Sequence, residues 1–347
     1  MLPPTDARIL HALQCAPRAS FRRIGEAVGV SEQTVARRYQ ALRRDGVLRV
    51  VGLVDPAVHG RAQWVARIRC RPDRVEPLAE SLARRPDIAY ANLSSGGSEI
   101  ICTIRAPFDT GPDGRGGDAL LRRLPRSAAV LDITIDLLIH PFLEPTDPAG
   151  TPDWTGYGPG LTPEERLRLT GDRPPPPAGS PRAPADEDAP LLAALAEDGR
   201  TTHTRLAERT GWSVARVTRR LAALESSGTL VYDVDLLPER LGHHLNATLW
   251  LRVAPARLRA VGRELAAHPE VAFAGAISGR HNLMLSVICR DPEDFYHYLT
   301  TRLAPLPGID AYEVSIRVRR LKQAASLIAH GRLVHPGSPA SRDPGLR

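Results

Sequence analysis

A chain of 347 residues with 42% hydrophobic content has room for two to four ordinary packed domains, which excludes a wholly disordered polymer. Its formal charge of +7 favours a polyanionic partner, but Lys322 is the one lysine, so the placement of the arginines says more than their number. No apolar run approaches about 18 residues, the start MLPPTDARIL does not read as a secretory leader, and Cys15, Cys70, Cys102 and Cys289 form no CxxC pair. These features predict a cytoplasmic protein with no membrane span, no metal site, no disulfide framework and no cofactor.

The first predicted domain covers residues 1–55. Ala7 to Leu13 places Ile9, Leu10 and Leu13 on one helical face. Ser20 precedes a second helix, Phe21 to Val28, which Gly29 ends, and Ser31 is positioned to cap a third. Helix, short glycine-containing turn and capped helix is the grammar of a helix-turn-helix. Rotating the third helix at about 100° per residue puts Val35, Tyr39 and Leu42 inward. Gln33, Thr34, Arg37, Ala41 and Arg44 face outward, with Arg38 at the boundary. A DNA major groove suits such a face, because Arg pairs with guanine, Gln with adenine, and a small residue permits close approach. We therefore predict double-stranded DNA as partner and Ser31, Gln33, Thr34, Arg37, Arg38 and Arg44 as contacts. Asp45 to Leu53 then reads as a wing or linking strand.

Residues 60–140 change character. Trp64 to Cys70, Ile88 to Leu93, Ile100 to Arg105 and Val130 to Ile139 are strand-like, and Arg74 to Arg85 is helical. A second helix is expected before the last strand, which makes βαββαβ, a ferredoxin-like arrangement. The apolar run from Leu131 to Ile139 suggests that one sheet pairs with another. Residues 141–187 hold 12 of the 32 prolines and read as a linker, interrupted at Thr162 to Leu167 by a capped helix start.

The chain then repeats itself. Asp6 aligns with Asp188, and the same offset holds through Arg18 and Arg200, Gly29 and Gly211, Ser31 and Ser213, Arg37-Arg38 and Arg219-Arg220, and Gly46 and Gly228. It slips by one residue before Ser95-Gly96 and Ser278-Gly279. The second helix-turn-helix is placed at 188–237, the second α+β domain at 243–325, and a flexible tail at 326–347. Its outward helix positions are Ala215, Arg216, Arg219, Ala223 and Ser226, with Arg220 at the boundary. Ser213, Arg216, Arg219 and Arg220 are its predicted DNA contacts. The copies differ in charge: Thr5 to Val50 carries nine arginines against four acids, and Asp188 to Asp235 six against seven. The first should hold phosphates better. His243-His244 are neighbours on an extended stretch and point to opposite faces, so they do not suggest a metal site.

Asp-x-x-Ile/Leu-Leu, Arg-x-x-x-x-x-Ile/Leu-x-Glu-x-x-Gly-x-Ser and Val-x-Arg-Arg-x-x-x-Leu-x-x-x-Gly occur in both copies, each followed by βαββαβ. This pattern resembles the Lrp/AsnC family of feast/famine transcriptional regulators in a tandem-duplicated form. The resemblance implies an α+β protein, two winged helix-turn-helix domains each followed by a ferredoxin-like sensor domain of the RAM type. It also implies sequence-specific regulation of transcription, homo-oligomers built through the sensors, and a small effector, often an amino acid. The family carries a Gly and a nearby Asp before the third sensor strand; here Ser278, Gly279, Arg280, His281 and Asn282 stand there in the second copy, and Ser95 and Gly96, with Glu99, in the first. These are the candidate effector residues. Because one chain carries two sensors, they are expected to pair within it as a pseudo-dimer. The alternative class is an enzyme: siroheme decarboxylases resemble the same tandem architecture, but Ile88 to Asn92 and Val271 to Gly275 carry no histidine.

Overall fold

The computed structural model describes residues 2–55, 58, 60–107, 119–142, 154–171 and 182–337. The first copy runs α1 (Pro4–Cys15), α2 (Phe21–Val28), α3 (Glu32–Arg44), β1 (Leu48–Val54), β2 (Arg61–Cys70), α4 (Val75–Ala83), β3 (Ile88–Ser94), β4 (Glu99–Pro107), α5 (Ala119–Arg123) and β5 (Val130–Phe142). The short α6 (Pro163–Thr170) follows. The second copy runs α7 (Ala189–Glu197), α8 (His203–Thr210), α9 (Val214–Ser226), β6 (Leu230–Leu236), β7 (Leu245–Val253), α10 (Leu258–Ala266), β8 (Val271–Ile277), β9 (Leu283–Cys289), α11 (Pro292–His297) and β10 (Ile309–Gln323). Two short strands end it, β11 (Ser326–Ala329) and β12 (Arg332–Val334).

These elements form two compact units, and the division does not follow the repeat. One unit gathers both helix-turn-helix copies, from Pro3–Arg61, Pro159–Leu237 and Ala324–Arg347; the other gathers both sensors, chiefly from Ala62–Gly158 and Pro238–Gln323.

In the first unit each helix-turn-helix begins from local chemistry. Ser20, Ser31, Thr202 and Ser213 are extended N-cap residues whose hydroxyls accept the third backbone N–H of α2, α3, α8 and α9. Each such cap stabilises its helix by about 1 kcal/mol. Gly29 and Gly211 end α2 and α8 in the left-handed region, at φ +81° and +71°, where a side chain is strained. The apolar stripes then meet. Ile9, Leu10, Leu13, Ile24 and Val35 are buried in the first copy; Leu191, Leu195, Leu206, Val217, Leu221 and Leu224 form the core of the second.

The two copies are joined by an antiparallel ladder between β1 and β6. Val51 faces Asp233, its own equivalent in the repeat, while Leu48 faces Leu236 and Val54 faces Leu230. The pairing thus maps onto itself when the copies are exchanged, as at an isologous interface. A second reciprocal contact reinforces it. The Arg18 guanidinium donates to the carbonyls of Gly199 (2.5 Å) and Thr201 (3.3 Å) and lies 5.5 Å from the Tyr232 ring. Arg200, its equivalent, donates to the carbonyls of Pro17 (2.5 Å) and Ala19 (2.7 Å) and covers the rings of Phe21 and Tyr39 at 4.6 and 5.3 Å.

In the second unit each βαββαβ copy makes a four-stranded antiparallel sheet, β3-β4-β2-β5 and β8-β9-β7-β10. The sheets join at both edges. Leu138 on β5 faces Ile277 on β8, and Arg317 on β10 faces Ser94 on β3, which are equivalent pairs. Eight strands therefore close on themselves and leave no free edge between the two sheets. The expected pairing of the two sensors within one chain is present, but it takes up only the end of the apolar run on β5, from Leu138 onward, and Leu131 and Ile139 stay exposed. The second core packs Leu249, Leu251, Val261, Leu265, Leu285 and Phe295 between sheet and helices. Cys70, Cys102 and Cys289 are buried, and burial pushes the Cys102 and Cys289 thiols up to about 12.

Two segments depart from the sequence reading. The tail predicted to be flexible from 326 onward is ordered through β11 and β12, which form a hairpin with Leu327, Ala329 and Leu333 buried. Its Ser326 hydroxyl bonds Asp235 (2.5 Å) and accepts from Arg49 (2.6 Å), and the Leu333 N–H donates to the Gly46 carbonyl. Strands of four and three residues are too short for their alternation to be read from the sequence. The predicted linker is partly structured. Trp154 packs edge-on against His243 in the sensor unit, and in the other unit α6 is tied to α1. There Thr162 and Glu165 complete a capping box, Arg8 pairs with Glu165 at 2.5 Å, and the Leu161 N–H donates to His11 Nδ1 at 2.6 Å. Most of the proline-rich remainder, and the chain beyond 337, lie outside the described residues.

Candidate nucleic-acid interface

The recognition face of α3 is built on a buried stripe. Val35 and Tyr39 anchor the helix inward, and burial raises the Tyr39 pKa with a contribution from the Asp198 charge. Gln33, Arg37, Gln40 and Arg44 then project into solvent, with Thr34 and Ala41 half-buried between them. Gln40 was missing from the predicted face. It sits seven residues after Gln33, on the same side, and helical spacing alone identifies it. Ser31 does its work as a cap: its hydroxyl accepts from the Thr34 N–H at 3.2 Å and lies 3.0 Å from the Thr34 hydroxyl.

Arg38, predicted as a contact, instead turns toward the start of the domain and meets Asp6 at 3.3 Å. Arg220 repeats this in the second copy, where the geometry is tighter: Nε and Nη2 meet both oxygens of the fully buried Asp188 at 2.6 and 2.5 Å. The Arg220 hydrogen bonds hold the Asp188 carboxyl below the usual carboxylate range, and they raise the guanidinium in return. Both arginines thus brace the third helix against the first. Arg216 is also engaged. It stacks 4.2 Å from the Trp212 ring and pairs with Glu187 at 2.7 Å. Arg219 is exposed, as are Val214, Ala215 and Ala222. Ser213 caps α9 through the Arg216 N–H.

Near the end of α3, Arg44 meets Asp45 only loosely at 3.6 Å. Arg332 of the hairpin donates to the Arg44 carbonyl and lies against Gly46, where φ is +68° and an added Cβ would collide with it. Sequence reasoning did not place this arginine beside α3, since 288 residues separate the two.

The candidate effector loops lie in the sensor unit. Ser278 is bound to β5: its N–H donates to the Leu137 carbonyl at 2.9 Å, and its hydroxyl accepts from the Leu137 N–H at 2.8 Å. That hydroxyl also lies 3.4 Å from Asp136, whose pKa burial raises against the opposing influence of Ser278, His281 and Arg67. Gly279, at φ +99°, where a side chain is strained, is packed so closely on the Asp136 carboxylate that an added Cβ would collide with it. Arg280 is exposed; His281 is half-buried, and burial lowers its pKa. Asn282 is held by the neighbouring strand β7. Its amide pairs with the Val253 N–H (2.9 Å) and carbonyl (2.7 Å), standing in for a backbone partner.

The first-copy loop is organised differently. Ser95 and Gly96 form a tight turn with Gly96 at φ +69°. Glu99 is 3% exposed and accepts from Ser95 (3.1 Å), Ser315 (2.8 Å) and Arg67 (3.0 Å). Arg67 also forks onto Glu313 at 2.6 and 3.1 Å and lies 4.5 Å from the Trp250 ring. Burial opposes the Arg67 charge, but the Glu313 bonds and the Glu99 charge outweigh it and raise its pKa. A protein guanidinium thus pairs with the carboxylate at the end of this loop. Among the described residues no group of three or more His, Cys, Asp or Glu converges as metal ligands, and no helix is long and apolar enough to cross a membrane.

Comparison with known proteins agrees with this division of labour. The AsnC-type helix-turn-helix domain matches residues 4–43, a winged helix-turn-helix DNA-binding domain matches 191–231, and the Lrp/AsnC ligand binding domain matches 246–327. An uncharacterized HTH-type transcriptional regulator of Pyrococcus abyssi is 30% identical over 130 residues, which covers 37% of this chain and 82% of the relative. The chain belongs to the Lrp/AsnC family. Other family relatives are the transcriptional regulator LrpA of Pyrococcus horikoshii, 28% identical over 40% of this chain and 98% of its own, and the leucine-responsive regulatory protein of Rhizobium meliloti, 28% identical over 40% and 92%. Each of these Lrp/AsnC relatives has about the length of one copy, so the duplication distinguishes this member from them. A solved structure of the siroheme decarboxylase NirDL superposes over 93% of both chains with a TM-score of 0.58 at 15% identity, a likeness of fold alone.

Proposed function

We propose that this Lrp/AsnC protein is a sequence-specific DNA-binding regulator of transcription in which one chain supplies both recognition helices and both sensors. The observation that carries the reading is the self-matching β1–β6 ladder, which holds two capped helix-turn-helix copies in a single unit. Its exposed Gln33, Arg37, Gln40 and Arg44 offer amide and guanidinium groups to base edges and phosphates. The effector is a small zwitterion such as an amino acid, taken at the Ser278–His281 loop. Asp136 there offers a carboxylate to an ammonium, and Arg280 a guanidinium to a carboxylate. The chain acts as a binding protein, and higher homo-oligomers form through the sensor unit.

The test is a band shift of the full-length chain on the DNA upstream of its own gene, with excess non-specific competitor. A retarded complex that Arg37→Ala weakens supports the reading; binding no tighter than to the competitor overturns it. The likeness to NirDL across 93% of both chains favours a second reading, a tetrapyrrole decarboxylase. Adding siroheme to the purified protein separates the two, since a shifted visible absorbance and release of carbon dioxide belong to the enzyme only.

A further inference from the structure

We propose that α3 and α9 read different sequences, so that the operator is a non-palindromic pair of half-sites. One half carries an obligatory guanine read by Arg37, and the other is A·T-rich and read by the apolar start of α9. This rests on the DNA-binding reading above and goes beyond it by naming the chemistry of each half.

The argument compares equivalent positions. Along α3 the exposed residues are Glu32, Gln33, Arg37, Gln40, Arg43 and Arg44, of which Arg43 pairs with Asp198 at 2.8 Å; along α9 their equivalents are Val214, Ala215, Arg219, Ala222, Glu225 and Ser226. Both amides and two of the three guanidiniums are gone, and an acid at the helix start has become a valine that is 45% exposed. The N-terminal residues of a recognition helix are those that reach base edges. At the start of α3 they are polar. At the start of α9 they are Val214 and Ala215, groups that match the thymine methyl and no hydrogen-bonding edge. Of the cations on α9, Arg216 is stacked on Trp212 and paired with Glu187 and Arg220 is paired with Asp188, which leaves Arg219. It is the equivalent of Arg37, but it stands among Val214, Ala215 and Ala222 rather than among amides. A homodimer has two identical helices and is bound to a palindrome. Here both helices belong to one chain, and the Arg18 and Arg200 bonds with the β1–β6 ladder hold them as a fixed pair. The halves are free to differ in sequence but not in spacing.

In vitro selection from a random double-stranded library, using the full-length chain, tests this. The expected product is a bipartite motif of constant spacing and orientation, with a conserved G in one half and a T/A block in the other. Arg37→Ala should reduce affinity for that motif tenfold or more and erase the G while sparing the T/A block. Val214→Gln, an exposed change that leaves the core untouched, should alter only the T/A block. A palindrome with two equal halves, or a Val214→Gln variant that selects the unchanged motif, overturns the proposal while DNA binding stands. Failure to enrich any motif removes the DNA-binding reading itself.

Discussion

In the first helix-turn-helix, Arg38 meets Asp6 through a single approach of 3.3 Å and stays half exposed. In the second, Arg220 forks onto a fully buried Asp188 with two bonds of 2.6 and 2.5 Å. The same two residues at the same spacing thus make a loose pair in one copy and a tight one in the other. Around them the charge is deployed in opposite ways. The first copy leaves Arg37 and Arg44 on an open face, whereas the second holds Arg216 and Arg220 in contacts with its own acids. Duplication preserved the scaffold in both copies, and the copy with fewer free cations is the one with the stronger internal electrostatic brace. A salt bridge that stabilises the fold is a cation withdrawn from phosphate.

The largest expected effect of this difference is on salt dependence. A chain engaging six or more phosphates should lose about 10³-fold in affinity between 50 and 200 mM salt. Arg37→Ala combined with Arg44→Ala should flatten the slope of log K against log salt by up to about 1.8, and Arg219→Ala by at most about 0.9. Equal slopes for the two variants, measured by titration on one DNA, would break the comparison.

The next effect is on stability, and it runs the other way. Asp188→Asn leaves Arg220 without its charged partner and should cost about 1.5–3 kcal/mol. Asp6→Asn, at the looser pair, should cost under about 1 kcal/mol. Urea unfolding of the helix-turn-helix unit, followed by circular dichroism, ranks them.

A smaller effect concerns acid. Arg220 depresses the folded Asp188 pKa below its ordinary 3.8, so the stabilisation is fully present above that value. It is lost as pH falls through the depressed folded value. The stability gap between the wild type and Asp188→Asn should therefore be full at pH 6 and shrink below pH 4. A gap that is unchanged at pH 3 would show that the hydrogen bonds, not the charge, hold the pair.

The smallest expected difference is between Arg200→Ala and Arg18→Ala. Each removes two hydrogen bonds to carbonyls, but Arg200 also covers two aromatic rings where Arg18 covers one. We expect Arg200→Ala to be the more destabilising by about 0.5–1 kcal/mol, measured in the same urea series.

Much of this molecule was legible in its sequence because its elements are set locally. Ser20, Ser31, Gly29 and the inward stripe of Val35 and Tyr39 specify a helix-turn-helix within some 25 residues, and the repeat of Asp6, Arg18 and Gly29 at Asp188, Arg200 and Gly211 specifies a second. The βαββαβ order followed from alternation and turns, and the family resemblance together with the presence of two sensors in one chain led to the expectation that they pair. Other features depended on long-range contact. No local pattern says that Arg38 turns back to Asp6 while Arg37 stays free, because one step of about 100° on the helix decides it. Nothing near Ser326 announces that it bonds Asp235, or that Arg332 lies beside Gly46. The candidate effector loops show the same limit: Asn282 and Glu99 occupy equivalent positions, yet one clips the Val253 backbone and the other lies buried under Arg67. Residue type and spacing determined which elements form within the two repeated copies, though not the β11–β12 hairpin that follows them. Tertiary structure alone decided which charges are satisfied inside the protein and which remain for a partner, because that depends on distances between segments far apart in the chain.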